Sequence, residues 1–415
     1  MGIALLSRRT TATFRQVGWA ALSAFALGCG ASAVGARDVP DASVLDAVDA
    51  APRVTGDAAR DSVAPSSDGS VAMNPHKPVQ RGLIDMGVLG LDGRPASSPD
   101  DVKNYPGSFA GIVLNVTWAQ LQPNGPDPLV DGDPLDVELD AVRAYDKANP
   151  KTPLSVKLRV AASFDAPAWA QRLSSGPVTI PPDPSDAKWR SGPVGEWWTP
   201  AYQAAWRDFQ GLLAAKYDDD PLVYEVAVTS CSFQTDEPFI IPTGVALPVL
   251  HGIAAPYTYN DTAEKACLTS AREDYSAWKN TWVDFTFAYF AETDNGYVED
   301  PAFTTATMMG CTEATNCILA SHGLADTTPS TSNADIYSQF LTQKSSLVNL
   351  QTYAPNPGNW CGIITVAEKY HCASLELWPD FGGFTTLPPD VVKNLATSFA
   401  NGAAPDPARC TADAG

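Results

Sequence analysis

From residue 82 onward, short bursts of apolar and β-branched residues alternate with longer stretches in which apolar side chains recur every three or four positions. That alternation predicts successive βα units. The bursts fall at 83–89, 110–118 (AGIVLNVTW), 154–161 (LSVKLRVA), 223–228, 282–290 (WVDFTFAYF), 317–322, 347–353 (LVNLQTY) and 372–378. Helical spacing predicts helices over 135–145, 202–217, 267–280, 302–312, 335–343, 363–370 and 389–399, the last opened by prolines. Eight strands with intervening helices predict one α/β domain, a (β/α)8 TIM barrel over 79–403, with a flexible tail over 404–415. A Pro/Gly-rich excursion over 176–200, carrying Trp189, Trp197 and Trp198, reads as a loop insertion.

The pattern before the barrel is different. Over residues 1–36, Arg8, Arg9 and Arg15 precede an apolar stretch at 17–28 and then small residues, the layout of an export signal. The apolar stretch is too short to span a bilayer comfortably. Ala26-Leu27-Gly28-Cys29 resembles a bacterial lipoprotein signal box, which implies lipid attachment at Cys29 and an outer-surface or periplasmic lipoprotein. Small-residue sites at 31–33 and 34–36 imply simple secretion instead. Residues 37–78 lack sustained periodicity, and with seven Asp against three Arg between 37 and 75 and almost no aromatics they have nothing to form a core, so they read as a disordered tether.

Charge and cysteine usage narrow the partners. A formal net charge of -20 disfavours nucleic acid and anionic membrane surfaces, so contact with a membrane is expected only through a lipid anchor. The cysteines show no CxxC spacing and few nearby His, which argues against a metal site. In an exported chain they suggest disulfides; Cys311–Cys317 and Cys361–Cys372 are the close pairs, with Cys231–Cys267 the third and Cys410 left over in the tail.

No G-x-S-x-G elbow, phosphate-binding Gly-rich loop or H-E-x-x-H is present, and the four histidines stock a triad poorly. Carboxylates at strand ends are the remaining chemistry. Glu237 follows the fourth burst in Thr235-Asp236-Glu237-Pro238, and Glu376 closes the eighth in ASLELWP. Two such groups at the C-terminal rim of a barrel suffice for glycoside hydrolysis, one protonating the leaving oxygen and the other attacking the sugar or activating water, with no cofactor or metal. Asp165 and Glu292, after the third and fifth bursts, are reserve carboxylates. His322, ending the sixth burst, reads equally as a ligand contact or a structural residue.

Three short motifs carry a family resemblance: Trp118-Ala119-Gln120-Leu121-Gln122-Pro123, Ala166-Pro167-Ala168-Trp169, and Asp236-Glu237-Pro238, which is similar to an Asn-Glu-Pro signature. With them, 82–399 resembles a bacterial glycoside-hydrolase-like (β/α)8 barrel of the clan containing β-galactosidases and cellulase-type enzymes. The resemblance implies Glu237 as general acid/base and Asp236 at the sugar 2-hydroxyl. Glu376 stands as nucleophile or second carboxylate, Arg159 and Gln351 as groups that orient it, and Trp118, Trp169 and Trp378 as sugar-stacking residues. The expected partner is a neutral oligo- or polysaccharide outside the cell.

Two departures stand out. Asp236 replaces the clan's Asn, and strand seven offers Gln351 where the clan's nucleophile is expected. They leave open an alternative, a non-catalytic surface glycan-binding lipoprotein in which Glu376 forms a salt bridge with Arg159.

Overall fold

The computed structural model describes residues 76–87, 99–126, 128–184, 190–234, 237–325, 331–342, 347–353, 357–379, 382–406, 408 and 410. The chain divides into two units, Met1–Gly69 and Ser70–Gly415, and every described residue belongs to the second. The export signal, Cys29, almost all of the 37–78 tether, Trp189 and Asp236 lie outside the described residues.

Eight parallel strands close into a barrel: β1 (Gly82–Asp85), β2 (Phe109–Thr117), β3 (Ser155–Ala161), β4 (Val223–Ala227), β5 (Trp282–Thr286), β6 (Cys317–Leu324), β7 (Val348–Thr352) and β8 (Cys372–Leu377). Each pairs with its sequence neighbour, and β8 pairs with β1 to complete the ring. All eight predicted strands are present and in the predicted order. Around them run α1 (Pro134–Ala148), α2 (Pro200–Tyr217), α3 (Asp261–Ser270), α4 (Pro301–Met309), α5 (Thr331–Thr342), α6 (Trp360–Lys369) and α7 (Pro389–Asn401).

Local chemistry sets the helix ends. The Asp133 side chain accepts from Asp136 N and Pro134 occupies the first turn of α1, while Leu135, Leu139 and Val142 turn one stripe toward the barrel. Helix α3 begins at Asp261, six residues before the predicted start, because the Asn260 side chain caps Ala263 N there. It ends at Ser270, and a 3-10 turn over Glu273–Tyr275 follows. The 176–200 excursion contains a two-stranded ladder, Val178–Ile180 with Gly192–Val194.

Side-chain alternation along the strands explains both the core and the site. In β3, Val156, Leu158 and Val160 join the hydrophobic core, whereas Lys157 and Arg159 are buried polar residues of the opposite parity. Glu225 in β4, Asp284 in β5, Asn349 in β7 and Glu376 in β8 repeat this arrangement and meet one another inside the ring.

Two disulfides match expectation, Cys231–Cys267 and Cys311–Cys317. The third does not: Cys361 joins Cys410 with Cα atoms 5.5 Å apart, and Cys372 is a free thiol. Cys361 lies in the first turn of α6 and Cys372 beyond its other end, so the rest of the helix, about 12 Å, separates them. The tail is therefore tied to the barrel at Cys410 and is not a free end from residue 404.

A buried carboxyl on α3 gives the fold a pH signature. Glu264 accepts from the Trp197 indole at 2.9 Å, yet burial outweighs that bond and lifts its pKa from 4.5 to about 8. Between those values the folded chain keeps a proton that the unfolded chain has released. This contribution to stability is complete below about 4.5 and is lost progressively as pH rises to about 8. Urea unfolding across pH 5–8 should show stability falling by about 1.4 kcal/mol per pH unit for such a group, and Glu264→Gln should lessen the slope by that amount. An unchanged slope in the variant would remove Glu264 as its source.

Candidate active site

Glu237 leaves the C-terminal end of β4 on the loop that opens over the barrel mouth, with its side chain one-quarter exposed (25 %). Its Oε1 lies 3.3 Å from His322 Nδ1, and the other ring nitrogen, Nε2, lies 3.1 Å from Thr286 Oγ1. Thr286 of β5 and Glu237 of the loop after β4 thus lie against the two ring nitrogens of the β6 imidazole. His322 belongs to the site as a residue that sequence reading left undecided.

Glu376 lies deeper, only 2 % exposed. Lys157 Nζ donates to its Oε1 at 2.6 Å and Arg159 Nη2 to its Oε2 at 2.6 Å. Burial works to raise its pKa, but the charges of Arg159, Lys157 and His322 outweigh this and hold the carboxyl well below the ordinary range. It is an anion at any physiological pH. His322 therefore neighbours both carboxylates, Glu237 by contact and Glu376 through its charge.

The register places Gln351 of β7 directly beside Glu376 of β8, and Arg159 Nη2 also reaches Gln351 Oε1 at 3.4 Å. Below them Lys157 forms a second ion pair with Asp284 at 2.9 Å. Asn349 Nδ2 donates to both Asp284 Oδ2 (2.7 Å) and Glu225 Oε2 (2.8 Å), and Gln80 N donates to Glu225 Oε1 at the floor. Burial and then the Asp284 charge raise Glu225 to about 8, so it keeps its proton at neutral pH. Lys157 and Arg159 then balance Asp284 and Glu376. Sequence reading missed Lys157, Glu225, Asp284 and Asn349; the available signal was a polar residue at every second position of otherwise apolar strands (VKLRV, YEVA, VDF, VNL).

The aromatic expectations divide. Trp118 is 0 % exposed and does not line the mouth, which corrects its assignment as a sugar-stacking residue. It opens a helical turn, Trp118–Leu121, and packs edge-on against Trp169, Tyr202 and Trp206 while its Nε1 donates to Gln122 Oε1. The Trp-Ala-Gln-Leu-Gln motif is thus a packing device, with Gln120 completing a capping box on Thr117. Trp169 and Trp378 are half-buried at strand-end loops, Trp169 donating to Gln122 O and Trp378 to Thr352 O, both at 3.0 Å.

The reserve carboxylates are engaged elsewhere. Asp165 forms an ion pair with Arg190, whose guanidinium lies over the Phe164 ring. Glu292 pairs with Lys265 at 2.6 Å on an outer hairpin, Ala291–Glu292 with Val298–Glu299. A surface hollow of about 400 Å³ lies between the segment around Tyr105 and Ser108 and helix α7. It is lined by none of Glu237, Glu376, Asp165 and Glu292, so the strand-end geometry, and not the size of that hollow, defines the candidate site.

The sequence matches no protein-family model and no curated protein sequence. Among solved structures, similar ones include an endo-glycoceramidase, a β-glucosidase and an endoglucanase. Endo-glycoceramidase II from Rhodococcus sp., as a lactosyl-enzyme intermediate, aligns with 74 % of this chain and 74 % of its own at 12 % identity and a TM-score of 0.43. A β-glucosidase mutant derived from a hyperthermophilic tetrameric structure aligns over 80 % and 97 % of the two chains at 11 % identity and 0.43. A trimodular GH5_4 subfamily endoglucanase does so over 78 % and 61 % at 12 % identity and 0.40.

Proposed function

We propose that this chain hydrolyses O-glycosidic bonds in a neutral glycan outside the cytoplasm, with Glu237 as the proton donor. The observation that carries this reading is the position of Glu237: a partly exposed carboxyl at the C-terminal mouth, in contact with His322, above a buried anion on the opposite strand. Glycosidic cleavage needs a proton for the leaving oxygen and negative charge near the oxocarbenium-like sugar. Glu237 supplies the first and returns as base toward water; Glu376 supplies the second. Trp169 and Trp378 offer ring faces to the sugar, and Arg159 and Gln351 hold the deeper end of the site. The export signal and Cys29 suggest a lipid-anchored location, with simple secretion as the other route.

One observation favours a second reading, glycan recognition without turnover. Both Glu376 oxygens are already committed, one to Lys157 and one to Arg159, so neither is presented to an anomeric carbon. The purified chain, screened against neutral oligo- and polysaccharides with binding and product release scored in the same wells, separates the two. Product release is the expected result. Tight binding without product across the panel would leave recognition alone.

A further inference from the structure

The column of polar residues beneath the mouth is more than a filling of the barrel. It begins at the floor with Gln80 N on Glu225, passes through the Asn349 amide to Asp284, and continues through Lys157 to Glu376. From there Arg159 links Glu376 to Gln351, the β7 residue beside it in register. A hydrophobic interior would fill the same space at lower cost, because each buried ion must be desolvated. The linked column instead restrains the side chains that its ion pairs and hydrogen bonds join.

We infer that Lys157 is a positioning residue of this site: by spanning Asp284 and Glu376 it locks Glu376 as the anchor for Arg159, and Arg159 in turn orients the Gln351 amide toward the mouth. The inference rests on the hydrolytic reading and deepens it. Lys157 takes Glu376 Oε1 and leaves Oε2 for Arg159, so the carboxylate cannot rotate without breaking one ion pair. Arg159 Nη2 then faces Gln351 Oε1, which turns the amide nitrogen of Gln351 away from the guanidinium. A donor at this point on β7 suits a sugar hydroxyl. Glu376 accordingly acts as an orienting anion, and the attacking group is water, which gives its proton to Glu237 as its oxygen bonds the anomeric carbon.

The groups facing Glu376 are Lys157 and Arg159 on β3, Asp284 on β5, His322 on β6 and Gln351 on β7, with Glu225 on β4 one step further along the column. Lys157 is buried, and although burial acts to lower its pKa, Asp284 and Glu376 together push it up to about 12. It stays charged throughout the working range.

The test is Lys157→Met combined with Asp284→Asn in the full chain, which removes one charge of each sign and leaves Arg159 as the ion-pair partner of Glu376, with the His322 charge nearby. Carbon-13 carboxyl NMR, with Glu376 assigned by its Gln variant, should show the Glu376 titration rising by one pH unit or more, and kcat should fall at least tenfold. An unchanged Glu376 titration together with wild-type kcat and KM would overturn the inference while leaving hydrolysis intact. Gln351→Met provides a second variant that does not disturb the column. It should reproduce the kcat loss and add nothing when combined with the double variant, and full activity in Gln351→Met would overturn the inference. Should the wild-type chain release no product from any glycan, the hydrolytic reading fails, and the Glu376 titration still decides whether Lys157 holds that carboxylate.

Discussion

Replacing Glu237 by Gln should lower kcat by about 10²–10⁴-fold, the range for removal of a positioned general acid, or about 3–5 kcal/mol of barrier. The amide has the shape of the carboxyl and can still meet His322 Nδ1, 3.3 Å away in the native chain, so folding and KM should change little. The loss depends on the leaving group. Aryl glycosides whose phenols leave as stable anions need little protonation and should retain much of their rate, whereas alkyl glycosides should bear the full loss. Steady-state kinetics over a leaving-group series measures this, and an equal loss for every leaving group would mean that Glu237 does not deliver the proton.

Glu376→Gln has its largest effect on stability. Lys157 and Arg159 lose the anion that both contact at 2.6 Å, and only Asp284 remains as a charged partner for Lys157. Breaking a buried ion pair by removing one partner typically costs about 3–5 kcal/mol, because the remaining charge is left desolvated. Urea unfolding of the variant should show a loss of that size. Removing the charges together, as in Lys157→Met with Glu376→Leu, should recover much of it, since apolar groups of similar volume can replace a buried pair at small cost. A Glu376→Gln variant as stable as wild type would mean that the two cations find compensation elsewhere.

The barrel was legible because parallel strands under a helical layer leave a simple record. Outward positions such as Val156, Leu158 and Val160 must be apolar, and helix faces such as Leu135, Leu139 and Val142 repeat at helical spacing. Glu237 and Glu376 stood out in the sequence because carboxylates ending apolar runs are chemically unusual, but nothing local showed that Glu376 is buried and ion-paired below the mouth. The polar column was overlooked because Lys157 and Glu225 look like solvent-facing alternation when the strand's inner side is assumed to be apolar. Trp118 was misassigned for a related reason: a tryptophan after a strand can turn up to the rim or down beneath a helix, and here the Thr117–Gln120 capping box turns the chain back so that its ring packs near Trp206. The disulfide partner of Cys361 depended on where the chain returns after α7, which no local pattern encodes.

The bond between Cys361 and Cys410 changes the topology of the barrel seam. The residues it encloses, with a sequence separation of 49, include β8, the strand that closes the ring against β1, and the whole of α7. Chain-entropy reasoning assigns a ring of this size about 4 kcal/mol of stabilisation through the unfolded state. A barrel of linear chain can come apart like a zipper drawn from its loose end, with the terminal helix leaving first and the last strand following. Here Cys410 is stitched back to α6, so the seam strand and α7 can depart only as a closed lasso.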